Sequence, residues 1–242
     1  MPTKVIVTTD PGQDEAAALM MMLAAPESFE ILGLVATAGN IGLDHTLVNA
    51  LKILELANRA DIPVFISASG PKTLELAGRI ADGVILLAGL FPAALDWAMA
   101  QVRRGAESAG RPCPEVAVFA YGAIDEDEDA ALASARSIAA WFPQTAPHIC
   151  GLAGLPASVV ERVRSGYQGG EFQEAAGAAA SLPDEFVRMV ALAGNRGRAA
   201  AQIRAALDAG AGSVHVFPIG ARRMDTVRAF ADAFRQAAGP PG

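Results

Sequence analysis

The feature of this sequence that most constrains its fold is a repeated alternation between a short apolar run and a stretch of helical periodicity. Six such pairs follow one another along the 242 residues, and their apolar runs lie at residues 4–10, 29–39, 62–70, 83–89, 115–123 and 212–220. Runs that are apolar throughout are typical of strands covered by helices on both faces of a parallel sheet. We therefore expect an α/β protein with a mostly parallel sheet of about six strand–helix units, as a partial or hybrid fold that is TIM-barrel-like or Rossmann-like.

Composition and charge exclude several classes of partner. Hydrophobic residues make up 52% of the chain and aromatic residues 6%, which suits helices on a sheet better than a β-sandwich. The net charge of −7 without a long basic run speaks against nucleic acid, and the apolar run at 16–25 is too short to cross a membrane. No secretory signal is visible, and Cys113 and Cys150 lie in no metal or redox motif. We therefore expect a cytoplasmic protein that acts on a small molecule.

Three acidic side chains lie where the first strand becomes a helix. In "VIVTTDPGQDEAAAL", Asp10 ends the strand, a Pro-Gly turn follows, and Asp14 and Glu15 open the helix. Sites in parallel sheets lie at the carboxyl ends of the strands, so Asp10 is well placed for chemistry. Carboxylates here can bind a hard cation such as Ca²⁺ or orient a metal-bound water. Acids in a first helical turn are also explained by the helix dipole, which they offset.

Residues 4–65 resemble the amino-terminal end of the nucleoside hydrolases, calcium-dependent enzymes that cleave the N-glycosidic bond of ribonucleosides. The likeness rests on "DPGQDEAAAL", on a Gly-Asn loop and on the helix "NALKILEL". The resemblance implies that Asp10 is a calcium ligand and the catalytic general base, and that Glu15 is a second calcium ligand. It also implies that Asp14 and Asn40 bind the substrate.

This chain departs from the nucleoside hydrolase pattern in several places. Thr8 stands where the family has its first acid, and Glu15 stands where the family has an aspartate. After residue 66 no segment corresponds to the family's later calcium and ribose ligands, and none of the three histidines lies in such a motif. The resemblance therefore supplies half of a metal and sugar site.

A second strand end carries the run "SASGPK", in which Ser69 and Gly70 precede a helix that begins at Pro71. Backbone amides at Ser69 and Gly70 can form a nest for a phosphate group, because glycine allows close approach. Proline is well suited to the first helical position. A plain strand-to-helix turn capped by Ser69 would have the same residues, so the local pattern leaves both interpretations open.

Residues 66–242 resemble the second half of the luciferase-like monooxygenases, especially the branch that uses a deazaflavin coenzyme, such as methylene-tetrahydromethanopterin reductase. The likeness rests on "ISASGPKTLELAGRIADGVIL", "EVAVFAYGAIDEDEDAALASAR" and "AAAQIRAALDAGAGSVHVFPIG". One departure is "GNRGR" at 194–198, where the family more often has G-T-P-E-E. The resemblance implies a flavin (FMN) or deazaflavin coenzyme. The cofactor-binding residues would then be Ala68, Ser69, Gly70, Lys72 and Gly83.

Two further regions are less informative. The acidic run Asp125–Asp129 opens an alanine-rich helix, where acids offset the dipole on a solvated face, so we expect no metal there. Residues 151–195 have the weakest strand signal and read as short helices with glycine and proline breaks. Such a region is either a surface excursion or a lid over the site.

The two resemblances meet near Pro63–Ser67, inside one predicted strand. We therefore interpret the chain as a chimera of a hydrolase-like segment, 1–65, and a luciferase-like half-barrel segment, 66–242, fused into one α/β domain. The leading hypothesis is a luciferase-like oxidoreductase with an incomplete catalytic apparatus. The alternatives are a calcium-dependent nucleoside hydrolase and a catalytically inactive scaffold. Because a closed barrel of this kind needs more than six units, the predicted sheet keeps an unclosed edge that invites a homo-oligomer.

Overall fold

The computed structural model of the protein describes residues 1–39, 42–167 and 175–239. The chain divides into two compact units, Met1–Leu86 with Gln101–Val116 and Leu87–Ala100 with Ala117–Gly242. The predicted join at Pro63–Ser67 lies inside the first unit, at its third strand. Asn40, which the sequence predicted to bind substrate, lies outside the described residues.

The first unit is built on four parallel strands in the order β1-β2-β3-β4. The strands are β1 Thr3–Thr9, β2 Phe29–Ala36, β3 Val64–Ala68 and β4 Gly83–Leu86. A helix follows each of the first three strands: α1 Gln13–Leu23, α2 Leu43–Leu56 and α3 Pro71–Ile80. This alternation brings the carboxyl ends of the strands and the amino ends of the helices to one edge of the sheet.

Helix α4, Pro92–Ser108, and strand β5, Glu115–Ile124, carry the chain between the two units. In the second unit β5 pairs in parallel with β6, Leu192–Gly194, and with β7, Ser213–Pro218. The helices of this unit are α5 Glu128–Ala139, α6 Trp141–Thr145, α7 Pro147–Leu152, α8 Ala157–Gly166, α9 Ala176–Ala179, α10 Asp184–Val190, α11 Arg196–Asp208 and α12 Arg223–Ala238.

The predicted parallel α/β fold is confirmed, and all six predicted strands are present. The structure adds a seventh strand, β6, within the region 151–195 that the sequence indicated to be helical. Strand β6 has three residues, all of them buried. A three-residue segment is too short to show strand periodicity, and this one lies between the helices α10 and α11. Among the described residues, its backbone pairing with β5 is what identifies it as a strand.

Helix α3 packs closely against helix α4. A Cβ atom built on Gly78 would lie 2.0 Å from the carbonyl oxygen of Val102, and one built on Gly105 would lie 2.0 Å from the carbonyl oxygen of Glu75. Both positions therefore require glycine, and the backbones of α3 and α4 meet directly. This contact fixes the position of α3, whose amino end carries one of the two predicted sites.

Two further observations concern membrane-spanning helices and the two cysteines. Within the described residues there is no helix with the length and apolar character needed to cross a membrane. Cys113 is exposed and Cys150 is buried, and both thiols are free. Burial raises the pKa of the Cys150 thiol to about 12, so this thiol stays protonated and unreactive at neutral pH.

Candidate functional site

Both predicted turns lie at the same edge of the first unit's sheet. Thr9, at the end of β1, is opposite Ala36 of β2, and Ala36 is opposite Ile66 of β3. Strands in a sheet are about 4.8 Å apart. The turn after β1 and the turn after β3 are therefore separated by two strand spacings, or about 10 Å.

Asp10 occupies the end of β1 and packs against the loop that follows β2. A Cβ atom built on Gly39 would lie 1.6 Å from Oδ2 of Asp10 and 2.8 Å from its Cβ. The carboxylate therefore rests directly on the Gly39 backbone, and any larger residue at position 39 would displace it. Asn49, from α2, donates from Nδ2 to the carbonyl oxygen of Pro11 at 2.8 Å. These contacts hold the turn after β1 in place.

Glu15 forms a hydrogen bond at the amino end of its own helix. Its Oε2 accepts a hydrogen bond from the backbone N–H of Gly12 at 3.1 Å, and Gly12 is the N-cap of α1. This is the glutamate half of a capping box, since glycine has no side chain to supply the other half. Asp14 is exposed in the same first turn. Within the described residues, no group of three His, Cys, Asp or Glu side chains is arranged to hold a metal ion.

The turn after β3 is open where the turn after β1 is closed. Gly70 is the N-cap of α3, with an extended backbone (φ −87°, ψ 155°), and no side chain caps it. Apart from its two chain neighbours, no described residue lies within 4 Å of the position that a Cβ atom on Gly70 would take. Pro71 begins the helix, and its first turn contains no acidic residue. The positive end of the helix dipole therefore faces a space that an anion can enter.

The other predicted cofactor residues differ in their positions. Ala68 is buried at the end of β3, Ser69 is half-buried, and Lys72 is exposed in the first turn of α3. Gly83 starts β4, and a Cβ atom there would lie 2.0 Å from Cε1 of Phe65 on β3. The geometry thus gives Gly83 a packing role beneath the Phe65 ring, whereas the residues at 68–72 line the open turn.

The acidic run Asp125–Asp129 belongs to the second unit and is occupied by internal contacts. Asp127 is the N-cap of α5 and accepts a hydrogen bond from the backbone three residues further on. Arg222 pairs with Asp125, and Arg196 pairs with Glu126 at 3.0 Å. Hydrogen bonding from the backbone of Asp127, and then from Arg222, lowers the pKa of Asp125. The run therefore ties the starts of α5, α11 and α12 together.

Sequence reasoning missed the contacts that close the turn after β1. The roles of Gly39 and Asn49 depend on contacts between segments far apart in the chain. The available signal for Asn49 was its place as the first residue of the run "NALKILEL". The capping by Glu15 follows from its place three residues after Gly12, and the alternative based on the helix dipole pointed to it.

Comparison with models of protein families shows which of the two resemblances extends over most of the chain. The model of the luciferase-like monooxygenases matches residues 27–213. The chain belongs to the luciferase-like monooxygenase family. The matched range begins well before the predicted join, so it includes part of the segment that also resembles nucleoside hydrolases.

Relatives of this luciferase-like chain include two enzymes named 5,10-methylenetetrahydromethanopterin reductase. The enzyme from Methanolobus tindarius is 42% identical over 103 residues, which is 42% of this chain and 29% of the relative. The enzyme from Methanopyrus kandleri is 32% identical over 166 residues, which is 66% of this chain and 46% of the relative. The luciferase-like chain therefore spans less than half the length of these relatives.

A solved structure shows the same fold over nearly the whole chain. It is the coenzyme F420 dependent tetrahydromethanopterin reductase from Methanopyrus kandleri. This structure superposes with a TM-score of 0.72 at 18% identity, over 95% of this chain and 81% of that one. An F420-dependent secondary alcohol dehydrogenase gives 0.64 at 13% identity, over 97% of this chain and 80% of that one.

The hydrolase-like segment also has relatives. The pyrimidine-specific ribonucleoside hydrolase RihA from Shewanella baltica is 48% identical over 84 residues, which is 35% of this chain and 26% of the relative. The family of the whole chain is thus luciferase-like, and a shorter part of it is similar to a nucleoside hydrolase.

Proposed function

We propose that this luciferase-like chain is an oxidoreductase that uses a deazaflavin coenzyme and acts on a small-molecule substrate. The family match and the F420-dependent relatives support this proposal. The observation that carries it is the open turn after β3. There Gly70 gives α3 no side-chain cap, the first turn has no acid, and among the described residues only Gly70 and its two chain neighbours come within 4 Å of the Cβ position of Gly70.

The residues of this turn have distinct parts in the proposal. The backbone amides of Ser69 and Gly70 would hold a phosphate of the coenzyme, because a helix amino end favours an anion. Lys72, exposed in the first helical turn, would add a positive charge near that phosphate. Ala68, the last residue of β3, would contact the coenzyme. When bound, the coenzyme supplies hydride transfer, and the chain supplies binding and orientation.

Coenzyme binding by the purified chain tests this proposal. The chain is titrated with a deazaflavin coenzyme and, separately, with FMN, and the change in coenzyme fluorescence is followed. We expect binding of the deazaflavin, and we expect Lys72→Ala to weaken it several-fold through loss of a charge-assisted contact. Arg79→Ala removes a positive charge from the far end of the same helix and should leave binding unchanged. Binding of FMN alone would replace the deazaflavin in the proposal, and binding of neither coenzyme would contradict it.

A second candidate is calcium-dependent hydrolysis of a nucleoside. Two observations favour it: the similarity to ribonucleoside hydrolases, and the position of Asp10 at the carboxyl end of β1 beside Gly39. In this account Asp10 is the general base and Asp14 binds the sugar. Ribose release from inosine and uridine in calcium, compared between the wild type and Asp10→Asn, distinguishes this candidate from the first. Rapid release that depends on Asp10 would favour it.

The proposal also covers the origin of the chain, the outcome if no activity is found, and the location of the protein in the cell. We infer that a hydrolase-like segment, 1–65, was joined to a luciferase-like segment, 66–242. If neither coenzyme binding nor ribose release is measured, the chain is a folded scaffold without turnover. A cytoplasmic location stays a prediction, which rests on two cysteines that lie in no metal or redox motif.

A further inference from the structure

Strand β1 is an edge strand with an open outer side. Among the described residues it pairs only with β2. Ile6, in the middle of β1, is 63% exposed, and Leu32 on β2 is 45% exposed. Lys4 is the one charged residue of the strand "TKVIVTT". Natural proteins usually protect an edge strand with several charges, a proline or a bulge, and β1 has a single lysine and no proline. The one irregularity in its pairing is a register shift between Val5 and Ile6, and the extra residue there, Leu32, lies on β2, so the alternation along β1 itself continues.

The backbone of β1 presents hydrogen-bonding groups on its open side at every second residue. The N–H of Thr3 donates at 2.8 Å to the carbonyl just before β2, and the C=O of Thr9 accepts at 3.0 Å from the amide just after β2. In a parallel pair, the residues that bond to the neighbouring strand alternate. The odd-numbered residues of β1 therefore face β2. The N–H and C=O groups of Lys4, Ile6 and Thr8 face away from the sheet.

A second copy of β1 fits this open side in an antiparallel arrangement centred on Ile6. In that register Ile6 is opposite Ile6 of the second copy, and Lys4 is opposite Thr8. All of these positions direct both backbone groups outward, so each facing pair can exchange two hydrogen bonds. The symmetry that generates this register is a closed twofold, in which the same surface is used by both copies.

The side chains also agree with this register. Lys4 and Glu30 form an ion pair at 3.7 Å across the two paired strands, and Lys4, Ile6 and Thr8 share one face of β1 because side chains alternate along a strand. Across the twofold axis, the exposed Ile6 side chains of the two copies would contact each other. Lys4 faces a threonine, so no like charges are opposed across the pair.

We propose that β1 is a self-association surface, at which two copies of this chain join their sheets through antiparallel β1 strands. The surface is independent of the coenzyme turn after β3, so the proposed function can fail without affecting it. The proposal accounts for a strand that combines an unpaired edge, an exposed isoleucine and a self-complementary order of side chains.

Charge variants at Thr8 test this register. In sedimentation experiments over a range of concentrations, we expect the wild type to form a dimer and no larger species. Thr8→Glu places a carboxylate opposite Lys4 twice in each dimer and should tighten the dimer about tenfold. Thr8→Lys opposes two lysines and should weaken the dimer by a similar factor. The double variant Lys4→Glu with Thr8→Lys should restore association.

Matched controls and a second measurement keep this test decisive. Ser158→Glu and Ser158→Lys, on the exposed face of α8, change the net charge equally and should leave the dimer unchanged. In the wild type, the amides of Lys4, Ile6 and Thr8 should gain protection from hydrogen exchange as concentration rises. A chain that is monomeric at every concentration, assemblies that grow without limit, or a dimer that responds equally to the Ser158 variants would each overturn the proposal.

Discussion

The turn after β1 and the turn after β3 begin alike and end differently. Each follows a parallel strand, and each has a glycine N-cap with extended backbone, Gly12 at φ −92° and Gly70 at φ −87°. In the first turn the carboxylate of Glu15 accepts the hydrogen bond of the Gly12 amide. In the second turn Gly70 provides no side-chain cap, and no described residue other than its two chain neighbours comes within 4 Å of its Cβ position.

This difference shows how an acidic residue in the first helical turn affects the binding of a ligand at the amino end of the helix. Where glutamate stands three residues after the N-cap, its carboxylate accepts from the N-cap amide and puts a negative charge at the amino end of the helix. Where proline and lysine stand instead, as at Pro71 and Lys72, the first turn carries no acid, and the positive end of the helix dipole can attract an anionic ligand. The acids that look like a metal site in the sequence thus close one turn, and their absence opens the other.

The largest effect is expected from Gly78→Ala, which acts on the helix that carries the open turn. Alanine is intrinsically better than glycine in a helix by about 1 kcal/mol. Here its methyl group would collide with the carbonyl oxygen of Val102, so we expect a net loss of about 1–3 kcal/mol in the free energy of unfolding. Urea denaturation measures this loss. Gly70→Ala is the matched control, because its backbone is extended and its surroundings are open. Equal stabilities of the two variants would contradict the close contact between α3 and α4.

Gly70→Val should weaken ligand binding at the open turn, with a small loss of stability because valine is less favoured than glycine at an N-cap. A branched side chain at this N-cap would cover the amides of Ser69 and Gly70. Charge-assisted hydrogen bonds contribute about 1.5–3 kcal/mol each, so the coenzyme should bind about ten- to a hundredfold more weakly. Fluorescence titration measures the affinity, with Arg79→Ala as the control. Unchanged affinity in a folded Gly70→Val protein would place the phosphate elsewhere.

Glu15→Ala should make the closed turn resemble the open one. Loss of the carboxylate leaves the Gly12 amide without its acceptor, and we expect the free energy of unfolding to fall by about 0.5–1 kcal/mol. Asp14→Ala, at the neighbouring exposed position, removes an equal charge without removing a cap and should cost less. Thermal unfolding compares the two variants, and a larger loss for Asp14→Ala would refute the capping role of Glu15.

Calcium should have the smallest effect, because it has few protein ligands at the closed turn. We expect binding only in the range of roughly 10⁻⁴–10⁻³ M, since Glu15 is engaged by its own helix and Asp10 lies on Gly39. Isothermal titration measures the affinity, and a ribose-release assay on inosine and uridine should show no efficient hydrolysis. Tight calcium binding with rapid, Asp10-dependent turnover would make the hydrolase account correct.

The sequence predicted the parts of the fold that repeat and missed those that depend on a single tertiary contact. Apolar runs followed by helices were recognisable, whereas the three residues of β6 form a strand only because β5 lies beside them. The open turn was identified from Ser69 and Gly70, although the local pattern allowed a capped turn as well. The closed turn was not foreseen as closed, because Gly39 and Asn49 reach it from other segments.

The most direct test of this comparison is an NMR titration of the wild-type chain with inorganic phosphate, following the backbone amides of both turns. We expect the amide signals of Ser69 and Gly70 to shift, because the helix amino end at α3 is open to an anion. The signals of residues 10–15 should stay in place, because Glu15 already occupies the Gly12 amide. Shifts confined to residues 10–15, with Ser69 and Gly70 unaffected, would contradict the account.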